Sequence, residues 1–519
     1  MIQPQDCFYI TTTLPYVNSD PHIGFALEII QADAIARYQR LQGKTVIFNT
    51  GTDEHGLKIY RKAQELGQDP KAYCDEYAAK FDALKVAINL SYTHFIRTTD
   101  SHHIAAAQEF WRRCMAKGDI VKKNYKIKYC VGCELEKTES DLVEGKCPVH
   151  PSLEMESIDE ENYFFKFSNY QHALLELYDS RPDFVLPSHR LTEVKRFTEG
   201  GLEDFSISRL KSKMPWGVPV PDDEAHVMYV WFDALVNYIS TLGWPEGGDF
   251  EMYWPGVQIA GKDNLRQQSN MWQGMLMSAG LPPSKQILIH GFITSEGQKM
   301  SKSVGNVVDP FEVAREYGVD PLRFYLLREI PTTEDGDFNR ERFRIVYDSD
   351  LANNLGNLVS RVLTMTEKYC EGKVPEVVQL NYGDTHLDLK GAWNGFHNGL
   401  NLLNFKISLE LIWDALNFLN RFIEDEKPWA LAKSGNQERV NYILYVILES
   451  LRQISWMLEP FIPQTAQNIR TQLGCTETGE MGLQVLSEWG RLIPGTVIQK
   501  AQSPLFPRLE SKQALTESS

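Results

Sequence analysis

The chain has 519 residues, of which 43% are hydrophobic, and carries a formal net charge of −16. That length exceeds a single core and implies three or four domains at roughly 100–200 residues each. No stretch approaches the ~18 consecutive apolar residues of a membrane span, and the opening MIQPQDCFYITT has no basic region followed by an apolar run, so a cytoplasmic location is expected. The acidic balance limits non-specific affinity for nucleic acid. Local basic clusters remain at Lys122, Lys123, Lys126 and Lys128 and at Arg340, Arg342 and Arg344, and such patches decide whether a specific RNA can dock.

Taken in order, Phe8–Thr13 is aromatic and β-branched and predicts a buried strand. Pro15, Asn18, Ser19, Asp20 and Pro21 form a turn, and Ala26, Leu27, Ile30, Ala34 and Tyr38 then recur at helical spacing up to Gly43. The helix therefore begins near His22 and Gly24, where unpaired backbone N–H groups and the positive dipole end attract phosphate. Thr45–Thr50 is a second strand, completing a βαβ unit that lacks G-x-G-x-x-G and so does not support a dehydrogenase-type dinucleotide site. Asp53, in GTDEHG, falls just beyond the carboxyl edge of that strand, as a turn cap or as a ligand group. Residues 57–117 read as helices, with Phe81, Leu84, Ile88, Phe110, Trp111 and Met115 as core.

Five of the eight cysteines are scattered, which argues against a disulfide framework in a chain this long. The other three make a pattern with a histidine: Cys130 and Cys133, then Cys147 and His150, each pair separated by two residues. Two such pairs give a tetrahedral Cys₃His set, and with all four ligands from protein the zinc is expected to be structural. Beyond it, Trp231, Ala234 and Tyr238 lie on one face of a predicted helix, a stripe whose default role is core packing. Gln258–Ala260 is a further strand, leading into GKDNLRQQ. In HGFITSEGQKMSKSVGNVVDP, Lys299 and Lys302 lie three apart, flanked by Ser301, Ser303, Gly297 and Gly305, a loop able to converge on a triphosphate. From about 346 to 474 the pattern is helical, with Leu355, Leu358, Val362 and Met365 on one face and Asn357 and Arg361 on another. Pro428 starts a helix whose first turn carries Trp429, for interhelix packing or for stacking. The tail from Gly495 is polar and expected to close in disorder.

The intact pentapeptide KMSKS, the HIG after PYVN, the zinc quartet and the Asn357, Arg361 and Trp429 positions together resemble the methionyl-tRNA synthetase family of class I aminoacyl-tRNA synthetases, from Phe8 to about Phe506. The resemblance implies an α/β fold: a Rossmann-type catalytic domain with a zinc-bearing insertion, followed by an α-helical bundle that binds the anticodon. The segments are then 1–117 and 226–290 for the two catalytic halves, 118–225 for the insertion, 291–345 for the KMSKS loop and stem contact, and 346–519 for the helical domain. It implies methionine activation by ATP, with Mg²⁺ on the phosphates, and transfer to tRNA(Met), initiator included. His22, Lys299 and Lys302 would be catalytic; Gly24, Phe25, Gly261, Asp263 and Ser301 would join them around ATP. Leu14, Tyr16, Asp53, Trp231, Ala234, Tyr238 and Gln268 would hold methionine, with Asp53 on the α-amino group, and Asn357, Arg361 and Trp429 would read the anticodon.

Two positions depart from the family pattern. Phe25 stands where the first signature ends in a second histidine, and Gln268 stands where histidine is usual. They motivate two rival readings: an adenylate-forming enzyme with a different acceptor, and an inactive RNA-binding relic. The intact anticodon positions oppose the first, and the intact lysines oppose the second. The chain stops before an appended tRNA-binding barrel could begin, so a monomer is expected.

Overall fold

In a computed structural model the chain forms two compact units, and residues 3–133, 135–137, 141–298, 300, 305–376 and 389–509 are described. The first unit comprises residues 1–21, 46–85 and 92–290. Its centre is a six-stranded sheet: β1 (Cys7–Thr11), β2 (Thr45–Thr52), β3 (His94–Arg97), β4 (Val185–Leu186), β5 (Val257–Gly261) and β6 (Gln286–His290), in the order β3-β2-β1-β5-β6-β4. β2 pairs with β3, β1 with β5, β5 with β6 and β6 with β4, all in parallel. Val46, Ile47, Phe48, Ile287, Leu288 and Ile289 are all buried, as parallel strands covered on both faces require.

Two strands depart from the sequence reading. The predicted helical stretch 57–117 contains β3, an edge strand of only four residues whose HFIR composition carries no alternation strong enough to announce it. β4 comes from within 118–225, so part of that segment returns to the main sheet through two residues. The rest of the segment builds a second, four-stranded sheet from Ile120–Cys130, Leu135–Lys137, Glu156–Phe165 and Phe205–Ser206. Of the expected core, Phe81, Leu84, Ile88, Phe110 and Trp111 are buried, whereas Met115 is 38% exposed near the end of its helix.

The second unit comprises residues 22–45, 86–91 and 291–519. It contains α1 (Ile23–Leu41), α2 (Val319–Arg328), α3 (Asn357–Tyr369), α4 (Phe405–Glu426), α5 (Pro428–Lys433), α6 (Gln437–Leu458) and α7 (Pro463–Leu473). Leu355, Leu358, Val362 and Met365 are buried, as their shared helical face requires. The segment 496–507 is held in place: Gln499 N–H donates to Gln472 O at 2.8 Å, Tyr347 Oη to Pro507 O at 2.7 Å, and Phe506 is buried. Polar composition concealed those backbone bonds; residues 510–519 lie outside the described residues.

One ion pair ties this unit together. Arg323, fully buried on α2, donates to Asp33 of α1 at 2.7 Å, to Phe461 O at 2.8 Å, to Pro460 O at 3.1 Å and to Asn89 O at 3.2 Å. Asp33 also receives Arg37 Nε at 2.7 Å and both Ser91 N–H and Oγ–H at 2.6 Å. Burial alone would raise the Asp33 pKa, but the two guanidinium groups and Ser91 outweigh it and bring it down to about 2. A depressed carboxylate contributes stability that is fully present above the ordinary aspartate pKa of ~3.9 and is lost as pH falls through the folded value. Arg323→Ala, which leaves the buried Asp33 with Arg37 and Ser91 but without its fully buried partner, is expected to lower unfolding free energy at pH 7 by about 3 kcal/mol, the low end for a broken buried pair. Denaturant titration checks this, and the loss of stability between about pH 4 and pH 2 should be shallower in the variant.

Candidate active site

In the first unit the loops after β1, β2 and β5 all leave the carboxyl edge of the sheet, where open α/β folds bind ligands. The loop after β1 carries Leu14 and Tyr16 and pairs with the end of β2. Asp53 N–H donates to Pro15 O at 3.0 Å, Val17 N–H to Asp53 O at 3.3 Å, and Tyr16 and Asp53 form an isolated parallel bridge. Leu14, Tyr16 and Asp53, separated by up to 39 positions in numbering, are thus brought together, with Asp53 buried.

Trp231, Ala234 and Tyr238 do not share one continuous helix. Val230–Ala234 and Asn237–Ser240 are two short helices, and three-residue bonds such as Val236 N–H to Asp233 O at 3.1 Å tighten the chain between them. Ala234 and Tyr238 are buried and Trp231 half-buried. The Tyr238 ring meets Trp272 edge-on at 5.8 Å, and Trp272 stacks on Phe110 at 5.6 Å. One wall of the candidate pocket is therefore continuous with the aromatic core.

Gln268 lies in a turn of π-helix, Gln267–Met271, a geometry frequent at functional sites. Its Nε2 donates to Tyr238 Oη at 2.8 Å, while its Oε1 accepts from Gln258 Nε2 at 3.2 Å. Gln258 Oε1 accepts from Ser284 Oγ at 2.5 Å. The chain of donors fixes which way the Gln268 amide faces. Gln268 thus meets the Tyr238 hydroxyl through a side chain that has no titratable proton of its own, a role that its spacing from Asp263 could not disclose. Gly261 ends β5, and Asp263 lies in the short turn that follows.

The second unit holds the phosphate-type features. His22 is the N-cap of α1, and its Nδ1 accepts from Gly24 N–H at 3.1 Å. A side chain at position 24 would place its first carbon 2.9 Å from the His22 ring, so the close cap requires glycine there. Although the ring reaches solvent, desolvation by the surrounding protein lowers its pKa below the usual histidine value. At pH 7 the ring is neutral, and with Nδ1 accepting, its proton sits on Nε2. Phe25 is half-buried in the first turn of α1.

Both arms of the signature loop are anchored within this unit. On the rising arm, Asp337 Oδ1 accepts from Gly297 N–H at 2.7 Å and from Thr294 Oγ1 at 2.6 Å, in a strand pair formed by Ile293–Ser295 and Gly336–Phe338. On the falling arm, Val308 O accepts from Ile23 N–H at 3.0 Å, joining the loop to the first residue of α1. Lys299, Ser301 and Lys302 lie outside the described residues.

Cys130, Cys133, Cys147 and His150 converge, their ligand atoms all within 4.8 Å of one another. Cys133 Sγ is 3.5 Å from Cys147 Sγ and 3.2 Å from His150 Nδ1, and Cys130 Sγ is 3.8 Å from His150 Nδ1. Tetrahedral bonds of ~2.3 Å to sulfur and ~2.0 Å to nitrogen give edges of about 3.5–3.8 Å, so the donor set fits a four-coordinate metal ion. Gly132 supports the fit, because a side chain there would collide with the His150 ring at 2.6 Å.

In the helical region Arg361 lies one turn beyond Asn357 on α3. Its guanidinium pairs with Glu424 at 2.6 Å and stands 5.4 Å from the Trp429 ring centre. Lys427, with φ 46, takes the left-handed conformation between α4 and α5 and turns the chain so that Trp429 is half-buried instead of covered. The structure therefore brings Arg361 to Trp429. The basic clusters are largely paired internally: Arg340 with Glu316 at 2.8 Å, Arg342 with Glu329 at 2.7 Å, and Lys122 with Asp223 at 2.9 Å.

A parallel sheet with its ligand loops at the carboxyl edge, a capped HIG helix start and an anchored KMSKS loop define a class I aminoacyl-tRNA synthetase. The family profile described as tRNA synthetases class I (M) matches residues 8–159 and 151–363. The chain belongs to the methionine–tRNA ligase family. It is 42% identical to the methionine–tRNA ligase of Synechocystis sp. over 97% of this chain and 98% of that protein. It is 41% identical to that of Thermotoga maritima over 97% of this chain and 81% of the relative. A solved structure of Mycobacterium tuberculosis methionyl-tRNA synthetase in complex with methionyl-adenylate superposes with a TM-score of 0.91 at 38% identity, covering 97% of this chain and all of that one.

Tyr238→Phe removes the acceptor of the buried Gln268 amide while keeping the ring. It is expected to destabilise the protein by about 1–3 kcal/mol, measured by denaturant titration, with the Tyr238–Trp272 packing retained.

Proposed function

We propose that this chain attaches L-methionine to tRNA(Met), initiator and elongator alike, in two steps. In the first, a carboxylate oxygen of methionine attacks the α-phosphorus of ATP and pyrophosphate leaves. In the second, a hydroxyl of the terminal tRNA ribose attacks the carbonyl carbon of the adenylate and AMP leaves. The reacting nucleophiles belong to the substrates, so the protein's task is positioning and charge stabilisation. The observation that carries this reading is the convergence of Leu14, Tyr16 and Asp53 in one loop pairing, and of Tyr238 and Gln268 through a 2.8 Å hydrogen bond, in the same unit.

Asp53 pairs the α-ammonium group, and Leu14, Tyr16, Trp231, Ala234, Tyr238 and Gln268 enclose the side chain. Aromatic walls suit a thioether, at ~0.3–1.5 kcal/mol per sulfur–aromatic contact. Around ATP, His22 offers its Nε2–H, Gly24 and Phe25 belong to the helix N-terminus, Gly261 and Asp263 lie on the ribose side, and Lys299, Ser301 and Lys302 hold the triphosphate. Mg²⁺ enters with ATP and neutralises phosphate charge. Asn357 and Arg361 bond anticodon base edges while Trp429 stacks, the usual mode for unpaired RNA bases. Cys130, Cys133, Cys147 and His150 hold one structural zinc, with no position left for a reacting water. We infer a monomer working in the cytoplasm; among the described residues no helix is long and apolar enough to cross a membrane.

ATP–pyrophosphate exchange is expected with methionine and with no other protein amino acid. Lys302→Ala should remove most of it, while Phe25→His should change it by less than about tenfold, or ~1.4 kcal/mol. Exchange that appears only in Phe25→His would make the wild-type chain a disabled relative. Trp429→Ala should lower tRNA charging at least tenfold, within the ~1–3 kcal/mol of one base stack, and leave exchange unchanged; an equal loss in both assays would assign Trp429 to packing. Elemental analysis should find one zinc per chain and none in Cys147→Ala, and metal-free wild-type protein purified without chelator would overturn the zinc assignment.

A further inference from the structure

A buried histidine–aspartate–histidine cluster stands beside the candidate methionine pocket, and the proposed function makes no use of it. Asp233, with no exposed surface, lies between Trp231 and Ala234 in the short helix Val230–Ala234. Its Oδ2 is 2.6 Å from His55 Nδ1, and its Oδ1 is 2.8 Å from His103 Nε2. His103, also fully buried on the helix Ser101–Ala116, has its Nδ1 2.9 Å from Ser240 Oγ. His55 lies two residues beyond Asp53 in the turn after β2 and is 4% exposed.

The hydrogen-bond roles follow from the partners. A carboxylate only accepts, so His55 donates from Nδ1 and His103 from Nε2. Burial raises the Asp233 pKa, yet the neighbouring His55 and the two imidazole bonds bring it down to about 2, so the carboxylate is ionised. His103 Nδ1 accepts from the Ser240 hydroxyl, whose other acceptor, Asn237 O, is distant at 3.5 Å. The turn itself is closed by Trp216, whose Nε1–H donates to Glu54 O at 2.5 Å and whose ring meets His55 edge-on at 5.6 Å. Glu54, between Asp53 and His55, is occupied by Arg97 at 2.6 Å and by Thr52 at 2.7 Å, while His55 bonds the helix carrying Trp231 and Ala234.

We propose that Asp233, held between His55 and His103, is a positioning residue for methionine binding: it locks the turn that carries Asp53 to the helix that carries Trp231 and Ala234. The inference rests on the reading that these residues take methionine. Two parts of a pocket arriving from β2 and from a helix some 180 positions later have no covalent reason to keep register, and a misplacement of about 1 Å can cost on the order of a hundredfold in rate. A buried carboxylate with directional hydrogen bonds on both oxygens supplies that register where apolar packing would allow sliding. The Nε2 face of His55 is set by the same bond, since an imidazole whose Nδ1–H is committed can turn only by breaking it.

Asp233→Asn keeps the shape but puts an amide N–H against one of two imidazole donors. In exchange assays it is expected to raise the KM for methionine at least tenfold while the KM for ATP stays within twofold. His103→Leu should raise the methionine KM in the same way, and His103→Gln, which can still donate to Asp233, should recover most of the loss. Methionine KM within twofold of wild type in folded Asp233→Asn overturns the proposal, as do equal shifts in both KM values or a fall in kcat alone, which would mark a purely structural bridge. If Asp233→Asn does not fold, the His103→Leu and His103→Gln pair decides by the same criteria. The reading of the pocket itself fails in a different way, through absence of methionine-dependent exchange in the wild-type chain.

Discussion

The contact on which the second unit depends is the buried pair between Arg323 and Asp33. A guanidinium fully removed from water is tolerated only when its donors are matched, and here they reach a carboxylate and four backbone carbonyls in three separate segments. Asp33 sits on α1, the helix that His22 caps and that begins with Ile23 and Gly24. Arg323 sits on α2, in the segment that follows the KMSKS loop. The pair therefore fixes the capped helix start against the stretch of chain that delivers the loop, and the Ile23–Val308 backbone bond sets the same relation at the loop's own base.

The first unit solves the complementary problem with a parallel sheet. Its strands end together, so short loops from β1, β2 and β5 leave one edge, and Tyr16 meets Asp53 through backbone pairing before any side chain is considered. What lies behind that edge is unusually polar for a core: Gln258, Gln268, Gln273, Ser284, His55, His103 and Asp233 are all buried. Each is hydrogen-bonded, as buried polar groups must be. Such a network is less forgiving than apolar packing, and for that reason it specifies one arrangement.

The two departures from the family pattern have different consequences. Gln268 is absorbed: its amide is held by Gln258 on one side and holds Tyr238 on the other. Phe25, where the resemblance implies a polar group, puts an apolar ring at a helix start whose Ile23 and Gly24 N–H groups are already taken by Val308 O and by His22 Nδ1.

Local patterns in the sequence were enough for β1, β2, α1 and the helical bundle, because period-2 and period-3.6 burial is written in neighbouring residues. The metal quartet was equally legible, since knuckle spacing is a local constraint and the four ligand atoms do converge. Leu14, Tyr16 and Asp53 were singled out by the resemblance to the synthetase family, and the backbone pairing at Tyr16 and Asp53 brings these three together. Met115 and the supposed single helix through Tyr238 show the limit, as both follow the helical period and both are overruled by what packs around them. β3 and β4, four and two residues long, exist only because a neighbouring strand offers its edge, and the tail's order at 496–507 depends on carbonyls and amides donated from elsewhere. The partners of Asp233 lie 178 and 130 positions away, and Arg323 reaches Asp33 across 290. No periodicity records a pairing at that separation: a buried charge finds its partner only when the fold has closed around both, so tertiary structure alone decided which of the chain's polar residues became its internal supports.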